Sequence, residues 1–229
     1  MKVWLIDHVS GIPADTTSEG RGVRRGVQSR LQNWFGQVAR HRKARNGRPQ
    51  GHERNIEVAW GPAGSAAGPY DLVLHFVPSQ PGQNPPVMGP WREAVLQTRD
   101  DLVTENLSSR QRGFSGGKTL GLSIGSQRVP ALSLVIVLYD AQMSRENMRI
   151  SANVESLSIV AFHEAAHNKD RSASLHISGG GGVFADIHTG GLGSAARPNN
   201  DNIAFFAERI WNWGPQYIVG GSMSPVSPP

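Results

Sequence analysis

The chain has 229 residues, and its 38% apolar content is enough to build a core in one large domain or two subdomains. It contains no cysteine, which excludes disulfides, thiolate metal sites and a cysteine nucleophile; any metal must be held by His, Asp or Glu. The net charge of +5 is unevenly placed: residues 21–54 carry +9 and the remainder −4, so the basicity belongs to one segment rather than to the whole protein.

Residues 2–9 read as a first strand. They are too few and too soon polar for a secretory signal, and no apolar run reaches transmembrane length. The expectation is a cytoplasmic protein, or one exported without a Sec-type signal. Residues 18–41 read as an amphipathic helix, because Val23, Val27, Leu31, Trp34 and Val38 recur every three or four positions. Gly22, Gly26 and Gly36 weaken that helix by up to ~1 kcal/mol each relative to Ala. A basic loop follows over 42–52. The 21–54 segment is a candidate surface for nucleic acid or another anionic partner, or a solvated helix face with a basic loop behind it.

Strands are expected at 55–60 and 71–77, the second apolar enough to be central. After a Pro/Gly-rich loop, Pro90 opens a helix running to about 107, with Trp91, Val95, Leu102 and Val103 inward. Residues 119–125 alternate Leu120, Leu122 and Ile124 with Gly121, Ser123 and Gly125. One buried face and one bare face suit an edge strand. Residues 132–139 read as a fully buried strand.

A helix over 153–168, capped by Ser151 or Asn153, then carries His163-Glu164-Ala165-Ala166-His167, the pattern H-E-x-x-H. Positions four apart share a helix face, so His163 and His167 can aim two imidazoles at one ion. Glu164, rotated by about 100°, can reach a water on that ion rather than the ion itself. Two neutral nitrogens beside a carboxylate are the equipment of metal-assisted hydrolysis. Beyond the motif come a Gly-rich stretch within 178–193, a last helix over 201–213 capped by Asn200 or Asp201, and a Gly/Ser/Pro-rich tail expected to be mobile.

The H-E-x-x-H helix and the order of elements before it resemble the zincin metallopeptidases. The resemblance implies an α+β fold: a mixed twisted sheet with backing helices and an active-site helix over residues 1–170, then a smaller irregular and helical C-terminal subdomain over 171–229. It implies a zinc-dependent endopeptidase acting on a protein or peptide substrate. His163 and His167 would be zinc ligands, and Glu164 the general base towards a zinc-bound water. Residues 119–125 would be the edge with which extended substrate pairs. The alternative is a catalytically inactive module of the same shape that binds nucleic acid or an anionic partner through 21–54.

The subfamily patterns do not carry over. Where metzincins place a Gly and then a further His or Asp after the motif, this chain has Asp170 and Ala173; Met223 is a faint counterpart of their methionine turn. Glu208 is the counterpart of the gluzincin glutamate. A catalytic zinc normally takes three protein ligands. His176 is favoured as the third, on chain reach and zinc's affinity for imidazole, ahead of Glu208, Asp170, His188 and Asp186. Asp170 is also a candidate acceptor for a ligand's free N–H. Tyr217, His188 and Arg209 are candidates to stabilise an oxyanion.

Overall fold

Side-chain alternation along two strands organises the molecule. In a computed structural model, which describes residues 1–8, 22–50, 55–61, 68–78, 87, 89–104, 121–125, 129–137, 150–170 and 197–212, β1 (Lys2–Asp7) turns Val3 and Leu5 to one face, and β3 (Leu72–Pro78) turns Leu72, Leu74 and Phe76 the same way. α1 (Val23–Arg40) covers that face with Val27, Leu31, Phe35 and Val38. The opposite face carries Val77 of β3 with Leu132, Leu134 and Ile136 of β5 (Leu132–Val137). α2 (Gly89–Thr104) packs there through Trp91, Ala94, Val95 and Leu102. A sheet covered on both sides needs apolar residues at every central position. That accounts for the unbroken burial of residues 72–77.

Among the described residues the sheet has five strands in the order β2-β1-β3-β5-β4, with β2 at Glu57–Gly61 and β4 at Gly121–Ile124. β2, β1, β3 and β5 run parallel; β4 alone is antiparallel, pairing with β5 in the register Ser123↔Ser133. The fold is therefore α+β with a mixed sheet, β3 is its central strand, and β4 is an edge. The two edges differ. On the β2 side, α1 offers side-chain amides to the strand backbone: Gln28 Nε2 donates to Val58 O (2.9 Å), Gln32 Nε2 to Ile56 O (2.7 Å), and Val58 N–H to Gln32 Oε1 (2.8 Å). Capped in this way, that edge offers less template for a further strand.

The motif lies on α3 (Ile150–Lys169), which starts earlier than the sequence reading placed it. Ser151 and Asn153 are inside the helix rather than caps. α3 packs on α1 at a close crossing, where a Cβ on Gly26 would come within 2.8 Å of the Val154 methyls. Gly26 thus permits contact at the helix it weakens locally. Residues 42–45, expected as loop, form a 3-10 turn (Arg42–Arg45).

α4 (Asn200–Ala207) is capped by Asn199, not by Asn200 or Asp201. Asn199 Oδ1 accepts from Asn202 N–H (2.9 Å) and Asn202 Oδ1 from Asn199 N–H (3.0 Å), a reciprocal cap that only residues three apart can make. The helix proper ends at Ala207, and a turn carries Ile210 and Trp211 into the same core as α1 and α3. The Gly-rich stretch and the tail expected for a C-terminal subdomain lie outside the described residues. Among the described residues, no helix is long and apolar enough to cross a membrane.

Candidate metal centre

α3 is pinned along its length. Near its start, Arg30 of α1 pairs with Glu155 (2.8 Å). In the middle, Phe162 sits among Trp34, Phe35 and Phe206 with ring centroids 5.0–5.7 Å apart. Offset and edge-on aromatic contacts of this kind fix a ring's direction as well as burying it, so the next residue, His163, inherits a defined orientation. At the end, the buried Lys169 Nζ donates to Tyr70 O (2.6 Å) and Asn212 O (3.0 Å).

On this fixed helix His163 and His167 converge. Their Nε2 atoms are 2.9 Å apart, with ring centroids at 4.5 Å and planes at 72°. Zinc–nitrogen bonds of about 2.0–2.1 Å in a tetrahedron hold neighbouring nitrogens roughly 3.3 Å apart. A shift of a few tenths of an ångström would therefore admit the ion. His163 is buried and His167 partly so.

Glu164 is 4% exposed, and its Oε2 has no hydrogen-bond partner among the described residues. Burial pushes its carboxyl up to about 8 from an ordinary 4.5. An isolated carboxylate is costly in such a place unless a cation stands near it. Two imidazole nitrogens this close suit an ion of zinc's preferences, and the orphaned carboxylate oxygen follows on the same helical turn.

What surrounds Glu164 was hidden in the sequence. Gly121 of β4 lies directly against it: a Cβ there would come within 2.6 Å of Glu164 Cγ and 2.7 Å of Cδ. Ser123 Oγ donates to the backbone carbonyl of Glu164 (3.0 Å) and lies 2.7 Å from Ser133 Oγ, which accepts from Asn168 Nδ2 (2.8 Å). Each hydroxyl has one proton, so the run is satisfied when Asn168 donates to Ser133, Ser133 to Ser123 and Ser123 to the carbonyl. The supposedly bare face of β4 is therefore no solvent face. Its glycine and serine make room for the motif helix, while Ile124 and Leu122 face the other core. A strand of alternating small and apolar residues reads the same from sequence whether its small side meets water or a closely packed helix.

The third-ligand candidates separate. Asp170 forms an ion pair with Arg209 instead of facing the histidines, and that also engages a residue named for oxyanion stabilisation. Glu208 is 44% exposed and paired with Lys43 and Arg209, which hold its carboxyl below the usual range, the Lys43 hydrogen bond foremost. Among the described residues no third His, Asp or Glu joins a metal-binding group. His176, Asp186, His188, Tyr217, Met223 and Thr119 lie outside the described residues. Asp170→Asn is expected to leave metal content unchanged while destabilising the fold by about 1–3 kcal/mol, because Arg209 loses its partner. Metal lost at full folding would return Asp170 to the ligand set.

The basic segment is partly neutralised within the fold. Arg24 pairs with Asp7, Arg30 with Glu155 and Lys43 with Glu208, whereas Arg25, Arg40, Arg42 and Arg45 are exposed. A groove of about 350 Å3 that includes Asn33, Gly36 and Arg40 runs beside α1 and contains none of the motif residues. Comparisons with protein-family models, curated proteins and solved structures returned no match.

Proposed function

We propose that the chain is a zinc-dependent metalloendopeptidase with a zincin-like fold. The observation that carries this reading is the convergence of the His163 and His167 Nε2 atoms on the helix that also carries the buried Glu164, whose side chain lies against strand β4. The sheet order supports it: β4, which has one sheet neighbour among the described residues, lies against the motif helix, where an extended peptide could add to it. His163 and His167 would hold the zinc, with His176 the favoured third ligand and His188 and Asp186 behind it. The ion would supply Lewis acidity at a scissile carbonyl.

The chain's own residues do the rest. Glu164, as carboxylate, takes a proton from the attacking water and later delivers it to the departing amine; a positioned acid–base group of this type contributes roughly 10²–10⁴-fold. The Asn168–Ser133–Ser123 run ties α3 to β5 and β4 and sets how Glu164 lies beneath the strand.

Metal analysis by mass spectrometry tests the reading. Wild type should hold about one zinc per chain more than His163→Ala does. Loss in His176→Ala as well assigns the third ligand. Retention in that variant moves the ligand to His188 or Asp186. A wild-type protein that takes up no zinc on reconstitution would end the peptidase reading and leave the anion-binding one.

A further inference from the structure

A second pair of imidazoles stands outside the motif. His8 Nε2 lies 3.1 Å from His75 Nδ1, with ring centroids 5.3 Å apart. Trp91, at the start of α2, packs on both rings, at 4.2 Å from His8 and 4.9 Å from His75. His8 is held beyond the end of β1 by its backbone N–H, which donates to Phe76 O (2.9 Å). His75 is buried and His8 half-buried.

The place is as informative as the pair. β1 and β3 are adjacent and parallel, yet the helix following β1 covers one face of the sheet and the helix following β3 covers the other. Adjacent strands whose connections leave towards opposite faces open a crevice at their carboxyl ends, the place where sheets of this kind bind ligands. His8 sits at the end of β1 and His75 beside it on β3.

We propose that His8 and His75 form a second metal site, for a borderline divalent cation such as Zn2+, Cu2+ or Ni2+. Metal–nitrogen bonds of about 2.0–2.1 Å place cis or tetrahedral neighbours roughly 3 Å apart, close to the separation this pair already has. Imidazole nitrogens favour borderline cations over Ca2+ and Mg2+, which take oxygen ligands. The Trp91 ring restricts both imidazoles, so less side-chain freedom is lost on binding. Burial outweighs the nearby Asp7 and lowers the proton affinity of His8, which reduces competition for its nitrogen. Coordination positions not filled by the pair are left for water or a ligand group. A bound ion would also staple β1 to β3 at their carboxyl ends.

The test uses the full chain carrying His163→Ala and His167→Ala, so that the motif cannot bind and the outcome is independent of the peptidase reading. Cu2+ is titrated with tryptophan fluorescence as readout, and thermal midpoints are measured with and without Zn2+. One saturable equivalent is expected, with quenching that disappears in Trp91→Phe and a midpoint that rises with Zn2+ concentration. His8→Ala or His75→Gln should weaken binding at least tenfold and abolish the thermal shift. His8 is half-exposed at a strand end, so His8→Asn serves as a second variant, its fold checked by circular dichroism. No saturable binding overturns the proposal and leaves a simple hydrogen-bonded pair; an isotherm unchanged in the folded His8 variants overturns it by placing the ion elsewhere.

Discussion

Glu164→Gln is expected to keep its zinc and to lose peptide hydrolysis by roughly 10²–10⁴-fold. Gln matches Glu in shape but cannot accept a proton from water, and the two histidines that would hold the ion are untouched. The same variant has a second, metal-independent signature. In the metal-free protein, burial holds the Glu164 proton up to about pH 8, whereas the ordinary value is 4.5. Between those limits the folded chain keeps a proton that the unfolded chain has released. Stability therefore falls as pH rises through this window, by roughly 5 kcal/mol if no other group intervenes. Glu164→Gln removes that titration. Under chelation it should match wild type near pH 5 and exceed it by several kcal/mol near pH 8, as urea unfolding would measure. Parallel stability–pH curves for the two proteins would show that Glu164 is not buried as described. Hydrolysis retained at wild-type rate would remove Glu164 from the mechanism.

Much of this architecture is legible in the sequence, because its signals are local. The three-to-four spacing of Val23, Val27, Leu31, Trp34 and Val38 marks α1, the mostly apolar run 71–77 marks a central strand, and His163 and His167 meet because four residues make about one helical turn. What escapes sequence reading is set by partners distant along the chain. Asp170 and Glu208 stand as ligand candidates behind His176 until Arg209 is found beside the one and Lys43 beside the other. His8 and His75 are 67 residues apart and share no motif. Gly26 counts only as a weak helix former until Val154 of α3 is placed against it. Even the cap of α4 depended on a reciprocal bond between two asparagines that the sequence offered among four consecutive Asn/Asp positions, 199–202.

Gly121 is the residue whose importance rises most between sequence and structure, and Gly121→Ala is expected to damage the site more than the fold. One methyl group added there would occupy space now filled by Glu164, within 2.6 Å of its Cγ and 2.7 Å of its Cδ. Two relaxations are open. Either β4 lifts from α3, straining the Ser123 bond to the Glu164 carbonyl and the Ser123–Ser133 contact, or the Glu164 side chain swings away. The second costs less, because a side chain moves more easily than a strand paired with β5 over four residues. Overpacking of this kind typically costs about 1–3 kcal/mol, so the protein should still fold. A carboxylate displaced by about 1 Å, however, can cost on the order of 10²-fold in rate. Activity should therefore fall about a hundredfold with zinc content unchanged, and Gly121→Val should fall further and lose stability as well. The pairing of readouts separates two roles for the glycine. If Gly121→Ala lowered stability but left kcat/KM per folded molecule intact, Gly121 would serve packing alone, and the edge strand would not be what positions Glu164.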